Sequence, residues 1–547
     1  MTFPASGQGC GSPKGSGRET VFRRATVIDG TGAPSRPGDV VVRGDRVVAV
    51  TPPGSARATP DATQVDADGL FVAPGFIDIH SHSDLSIFLE PAATNYVAQG
   101  VTLLVSGNCG WSAAPFDPED PEAVASLADD RLRSLVTWRT FTEYMEALER
   151  LPKAVHVATL VGHSSVRGAV MGWGDAQPGS EELEKMQALV EEAMRAGAFG
   201  LSTGLIYVPG TFAGTEEIIA LARVAATHGG IYATHLRSES DRLPEALEEA
   251  VRVGRESGAR VQVSHHKASG RRNWGLVKTT LALMEHWRRS GVEVTCDVYP
   301  CTAGATGLAA LLPPWTQREG RQACLGLLRD RDAREKVRWD LGRPQAGWPN
   351  LYYDAGPEGV RVAETRHLPR HLGRSLADIA RETGADPRDV LMDLLLADFD
   401  LGVTVAGMNE EDVRFVLGHR LSMVASDAAA VVPGEGAPHP RSYRAFTRTL
   451  ATYARDESLL SLETAVYKMT GLPAWKLGLW DRGLLRPGAK ADLVVFDLWG
   501  LGSRSEYGDP HHLSEGVLHV LVAGEFVWRD GRPTGARPGE ALRRPGC

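Results

Sequence analysis

The feature that most restricts the fold of this chain is a series of short apolar runs, most of them closed by a polar signature and set apart by long amphipathic stretches. In order they are "GFIDIHSH", "GVTLLVSGNC", "HVATLVGHSS", "AFGLSTG", "GGIYATHLR", "RVQVSHHK", "VEVTCDVYP" and "LSMVASD", eight in all. Near-continuous apolar runs of this length suit strands buried on both faces, which is the habit of parallel sheets. Between most of them lie helical patterns such as "SEELEKMQALVEEAMRAG" and "LPEALEEAVRVGRESG", each stopping at a glycine suited to a helix C-terminus. Eight strands alternating with helices predict an α/β fold, a (β/α)8 TIM-like barrel. The last intervals are irregular, with about 120 residues between "DVYP" and "VASD". There "SLADIARETGADPRDVLMDLLLAD" reads as helical and "PPWTQREGRQACLGLLRDRDAREKVRWDLG" as an insertion near the barrel mouth.

The two ends of the chain have another texture. "TVFRRATVIDG", "DVVVRGDRVVAV" and "GLFVAPG" read as strands of a small antiparallel sheet, and so do "GAKADLVVFD" and "GVLHVLVAGEFVWRDGRP". The economical division is a flexible tail at 1–18, a small β-sandwich domain built from 19–74 and 475–547, and the barrel over 75–474 with its insertion around 310–370. The Gly/Ser-rich tail has no apolar core of the kind a signal peptide needs. A net charge of −9 over 547 residues gives no footprint for nucleic acid or an anionic membrane. No apolar stretch is long enough to span a bilayer. The six cysteines show no CxxC pair and no disulfide spacing, which predicts a cytoplasmic address. Cys296 and Cys301 read as strand residues. Nothing in the sequence sets the oligomeric state.

In such a barrel the chemistry sits at the C-terminal ends of the strands. Strand one ends with His80 and His82, spaced so that both side chains share a face. Strand two ends with Cys109, strand five with His235, strand six with His265 and strand eight with Asp427. Taken singly, each has a plainer reading: a hydrogen-bonded histidine, a buried thiol acting as a small hydrophobe, an aspartate capping a helix. Chance does not easily place all of them at strand ends, so metal binding is the stronger reading. Imidazole, thiolate and carboxylate together suit zinc, and six ligands exceed what one tetrahedral ion needs. Asp78 shares the inward face of His80 one layer deeper, where a structural role is expected. His163 and Ser164 approach the mouth from strand three without an assignable role.

"PGFIDIHSHSD" resembles the first metal strand of the amidohydrolase superfamily. The ordered set "GNCG", "VGHSSVRGAVMG", "GAFGLSTGLIYVPGTFA", "GGIYATHLRSE", "VSHHKASGRRNWG", "DVYPCTAG", "SDAAAVVPGEGAPHPRSYRAF" and "DRGLLRPGAKADLVVFD" is similar to its D-aminoacylase (N-acyl-D-amino-acid deacylase) branch, from about residue 20 to the end. The resemblance implies a tight zinc on Cys109, His235 and His265, and a second, weaker site on His80, His82 and Asp427 that shares Cys109. Many superfamily members bridge two metals with a lysine at the end of strand four. "AFGLSTGLIY" offers none there, which leaves the bridge to Cys109.

The implied reaction is zinc-dependent hydrolysis of an N-acyl-D-amino acid to a carboxylate and a free D-amino acid. Zinc lowers the pKa of its water to roughly 7, and Asp427 acts as general base and then acid. Lys267, Arg441, Tyr207 and Tyr299 are the expected substrate-binding residues, the guanidinium suiting a carboxylate. Two departures bear on substrate choice. "YPCTAGA" puts Cys301 and Ala305 where the branch usually has tyrosine and serine, with Thr306 the candidate to replace the serine hydroxyl, and "SDAAAVV" lacks the usual glycine or serine after the metal aspartate. The competing readings are hydrolysis of a cyclic amide of hydantoin or dihydroorotate type, a hydrolase using Cys109 as nucleophile, and a non-catalytic barrel scaffold.

Overall fold

The computed structural model describes residues 18–120, 123–124, 127, 129–345 and 347–546, so all but one residue of the expected tail lies outside them. All eight apolar runs contribute strands, and their neighbours pair in parallel. Phe76–Asp78, Val101–Ser106 and His156–Thr159 form one three-stranded sheet. Val161–Gly162, Gly200–Gly204, Ile231–His235, Arg260–Val263, Val294–Val298 and Ser422–Val424 form a six-stranded one. The third run therefore serves both sheets, interrupted at Leu160, whose N–H donates to Ser106 O at 2.9 Å. At the other edge Asp427 N donates to His80 O at 2.9 Å, and His82 N to Ala428 O at 2.7 Å. These bonds join the ends of the first and eighth runs.

The strand period of two explains how these runs pack. Ile77, Ile79, Leu103, Val105, Ala158, Leu160, Ile231, Ala233, Met423 and Ala425 alternate along their runs and share one apolar core. Phe76, Leu104, Val157, Leu201 and Tyr232 face the other way, into a core shared with helices. The helices match their sequence signals: Ser180–Arg195 and Leu243–Ser257 present apolar stripes, and the second stops at Gly258 with φ 82°. Asp78 does not share the face expected for it. The chain bends at Ile79–His80, because Asp78 Oδ1 accepts from His80 N at 3.2 Å and from Ser426 N at 3.0 Å. That bend breaks the alternation and leaves Asp78 as a tie between the first and eighth runs, beside Tyr96, which donates to Ala428 O. Cys296 is a strand residue, whereas Cys301 lies in the loop beyond it, where Pro300 ends the run.

Strands from the two chain ends meet in one nine-stranded sheet, joined where Phe71–Pro74 runs antiparallel to Leu493–Phe496. The N-terminal part is mixed rather than purely antiparallel, since Glu19–Val27 pairs in parallel with Thr63–Asp66 and Phe71–Pro74. The long Pro-containing connection from residue 51 to 63 carries the chain back across instead of closing a hairpin. Past Thr534 the chain leaves this sheet. Gly539 N donates to Lys153 O, Leu542 N to Val157 O, and Leu542 joins the core shared by the parallel strands.

Between the seventh and eighth runs stands a unit with its own core. Strands Ala303–Gly307, Val360–Glu364 and Gly402–Ala406 pair antiparallel, under helices that include Arg331–Leu341, Leu351–Gly359, Leu376–Thr383 and Pro387–Ala397. Leu308, Leu341, Val360, Leu391 and Val403 fill it. This unit spans 303–406, wider than the 310–370 expected for an insertion. Its first strand, AGATG, is made almost wholly of Gly and Ala and carries little apolar signal, so the sequence hides it. Among the described residues no helix is long and apolar enough to cross a membrane.

A buried charge cluster pins the nine-stranded sheet to the third run. Asp492 lies 3.0 Å from His156 Nε2 and accepts from Arg482, which also reaches Glu540 at 2.9 Å. Burial alone would raise the Asp492 carboxyl, but His156 and Arg482 hold it below the ordinary carboxylate range. A depressed acid stabilises the fold above the usual Asp range, and that contribution is lost as pH falls through the lowered value. Asp492→Ala is expected to cost about 3–5 kcal/mol, because it strands a buried guanidinium, read as a shift in the urea midpoint. The acid limb of the stability curve should flatten in Asp492→Asn.

Candidate metal centre

Three of the expected ligands sit where the chain turns out of a strand. Cys109 (φ 52°), His265 (φ 34°) and Asp427 (φ 52°) have left-handed backbones, a region that costs a non-glycine residue roughly 1–3 kcal/mol. The turn at Cys109 depends on its glycines. A Cβ on Gly107 would strike Leu160 O at 2.0 Å, and one on Gly110 would strike Gly204 N at 2.7 Å. The spelling "SGNCG" therefore reflects close approach of neighbouring strand ends, which only glycine allows.

The six expected ligands converge. Cys109 Sγ lies 3.3 Å from His265 Nε2, 3.4 Å from His80 Nε2 and 3.8 Å from His235 Nδ1. On the far side of His80, Asp427 Oδ1 is 3.4 Å from His80 Nε2 and 3.0 Å from His82 Nε2. The ligand atoms of His80, Cys109 and His265 lie within 4.8 Å of one another, and so do those of His80, His82 and Asp427. His80 thus stands between the two groups, next to Cys109 and Asp427 alike.

The cluster is largely buried and short of positive charge. Burial would push the Cys109 thiol up, but His80 and His265 beside it hold it well below its usual value, so it sits as thiolate. Asp427 is likewise held low against burial by Arg441, His265 and His80. The imidazoles respond in kind. Against burial, His82 is pushed up to about 9 by Asp427 and Cys109, and His235 to about 9 by Glu239 and Cys109. These anions need cations among them, supplied either by imidazolium protons or by a metal ion. A donor set of thiolate, imidazole and carboxylate fits zinc.

Two acidic residues that motif reading passed over hold the imidazoles in place. Glu239 Oε1 is 2.9 Å from His265 Nδ1 and its Oε2 is 3.3 Å from His235 Nε2. Asp297 Oδ1 is 3.2 Å from His80 Nδ1 and accepts from His265 N at 2.8 Å. Such partners set the orientation and basicity of a ligating histidine. The available signal was weak: each lies close to a strand end, in "LRSES" and "CDVYP", among 68 acidic residues.

The expected substrate residues divide. Lys267, Tyr207 and Tyr299 line one cavity together with His82, Cys109, His235, His265 and Asp427. Lys267 Nζ lies 2.7 Å from Glu239 Oε1, Tyr207 packs edge-on to His235, and the Tyr299 hydroxyl is buried without a partner. Arg441 is not among the lining residues. It sits behind Asp427, with Nη1 2.8 Å from Oδ2 and its guanidinium over the Tyr299 ring at 4.5 Å. Ala305 and Thr306 line the cavity, and Thr306 Oγ1 donates to Tyr207 OH at 3.4 Å. Cys301 is buried outside it. His163 turns away to Glu217, 2.8 Å distant, which is also bonded by buried Arg167.

The sequence matches the amidohydrolase family over residues 63–331 and 351–528. It is 38% identical to the D-aminoacylase of Alcaligenes xylosoxydans xylosoxydans over 526 residues, 96% of this chain and 98% of that protein. It is 37% identical to the N-acyl-D-glutamate deacylase of the same organism, over 96% of each. Among solved structures, the N-acyl-D-glutamate deacylase of Bordetella bronchiseptica, complexed with zinc and a phosphonate mimic of the tetrahedral intermediate, is 34% identical. It superposes with a TM-score of 0.81 over 96% of this chain and all of that one.

Cys109→Ala is expected to lose zinc, measured as metal per chain after dialysis. Glu239→Gln, which keeps the size but weakens the hold on two imidazoles, is expected to lower zinc affinity about 10–100-fold in a chelator competition.

Proposed function

This chain belongs to the amidohydrolase family, and from that premise we propose that it is a zinc-dependent hydrolase cleaving the amide bond of N-acyl-D-amino acids. Its products are a carboxylate and a free D-amino acid. The observation that carries the reading is the convergence of Cys109, Asp427 and the imidazoles of His82, His235 and His265 on one cavity, with His80 packed between Cys109 and Asp427. The deacylase names of the relatives support the linear amide and the D configuration.

The framework is a (β/α)8 barrel over 75–474, a reading supported by eight runs that neighbour one another in chain order and by the bonds between His80–His82 and Asp427–Ala428. The two chain ends, 19–74 and 475–547, make the β-sandwich beside it, supported by their shared sheet. Cys296 and Cys301 are buried cysteines outside any disulfide, which supports a cytoplasmic address.

Cys109, His235 and His265 would hold the tight zinc. His80, His82 and Asp427 would form the weaker position, with Cys109 shared. When bound, the metal would supply hydroxide at neutral pH and polarise the amide carbonyl. The remaining work falls to the chain. Arg441 engages Asp427 Oδ2 and leaves Oδ1 toward the histidines. Held ionised in this way, Asp427 takes the proton of the attacking water on Oδ1 and returns it to the leaving amine nitrogen. Lys267 and the unpartnered Tyr299 hydroxyl receive the α-carboxylate, and Tyr207 closes the wall beside His235. Arg441 acts on the reaction through Asp427 rather than by touching substrate.

Asp427→Ala is expected to lower kcat by about 100-fold or more while tight-site zinc remains, read by a free-amine assay and metal analysis on the same sample. Near-normal turnover in that variant would remove the acid–base role. The wild type should release amine from N-acetyl-D-methionine and not from its L enantiomer.

A further inference from the structure

The 303–406 unit places one unusual group in the wall of the active-site cavity. Asp354, in its helix Leu351–Gly359, lines the same cavity as Cys109, His235 and Lys267. Its side chain is 3% exposed, and its Oδ2 is buried with no hydrogen-bond partner. Oδ1 faces Arg272 Nη2 at 3.3 Å, but Arg272 is 40% exposed and lies over the ring of Tyr353, so the pair is screened by solvent. The carboxylate is held tightly against backbone, since a Cβ on Gly270 would meet Asp354 Cγ at 2.7 Å. Burial pushes this carboxyl up to about 6 in spite of Arg272, the mark of an anion short of a counter-charge.

The wall around it is apolar: Leu351, Ala355, Val405, Ala406 and Met408 line the cavity beside Asp354. An apolar channel with a desolvated carboxylate in its wall matches an aliphatic stem carrying an ammonium or guanidinium group. An acidic side chain finds nothing comparable. Among the described residues lining the cavity, Lys267 is the one lysine or arginine, and it already faces Glu239.

We propose that Asp354 is a specificity residue that selects N-acyl-D-amino acids with a cationic side chain, of the lysine, ornithine or arginine type. The proposal rests on the deacylase reading above. It assigns the cation to the amino acid and not to the acyl group because Asp354 packs on Gly270, three residues along the chain from Lys267, which receives the α-carboxylate.

The test is a set of kcat/KM values for N-acetyl-D-lysine, N-acetyl-D-arginine, the neutral isostere N-acetyl-D-norleucine and N-acetyl-D-glutamate, on wild type and Asp354→Asn. The wild type should prefer the cationic substrates over norleucine by about tenfold or more, with glutamate poorest. In Asp354→Asn the ratio of lysine to norleucine should collapse toward one. A wild-type ratio at or below one overturns the proposal, as does a ratio that survives in Asp354→Asn. If that variant does not fold, the wild-type ratio still decides the matter, together with product inhibition by D-lysine against D-norleucine. Turnover of norleucine without a cationic preference defeats this inference alone. No turnover of any N-acyl-D-amino acid defeats the deacylase reading and this inference with it.

Discussion

Buried negative charge is the condition around which the centre of this protein is organised. The Cys109 thiolate, Asp427, Glu239 and Asp297 stand within a few contacts of one another, all removed from water. Unpaired anions in such a place would cost several kcal/mol each. The structure meets this with imidazoles whose affinity for protons is raised, with Arg441 and Lys267, and with room for a dication. The same arrangement that makes the cluster costly without cations makes it a metal site with them.

The scaffold supplies the positions that this chemistry needs. Left-handed turns at Cys109, His265 and Asp427 aim three side chains inward at the ends of three different strands. Glycines at 107 and 110 let the neighbouring backbones come close enough for those turns to exist. Asp78 fastens the first run to the eighth just beneath His80 and Asp427. Strain at the ligands is thus supported by bonds at positions that touch no metal, as expected when a site is held by its surroundings.

The 303–406 unit contributes differently. It has its own sheet and core, and it meets the site through one helix and residues of two of its strands. The floor of the cavity comes from strand ends and the wall from this separate unit.

The eight runs and the six ligand candidates were legible in the residues. Parallel strands buried on both faces are continuous apolar runs, and the candidate ligands are polar residues that close them. The partners Glu239 and Asp297, the retreat of Arg441 behind Asp427, and the bend that turns Asp78 away from the face of His80 were not legible. Each depends on which carboxylate comes within about 3 Å of which nitrogen, a relation between residues far apart in the chain. The same holds for Asp354, an ordinary helix residue in sequence that becomes notable only because Gly270 packs against it and no donor reaches its second oxygen. Local periodicity determined the eight parallel runs, the helices between them and the candidate ligands at their ends. The depth of burial, the pairing of charges and the makeup of the cavity wall were decided by tertiary packing, because they arise from contacts that no local pattern encodes.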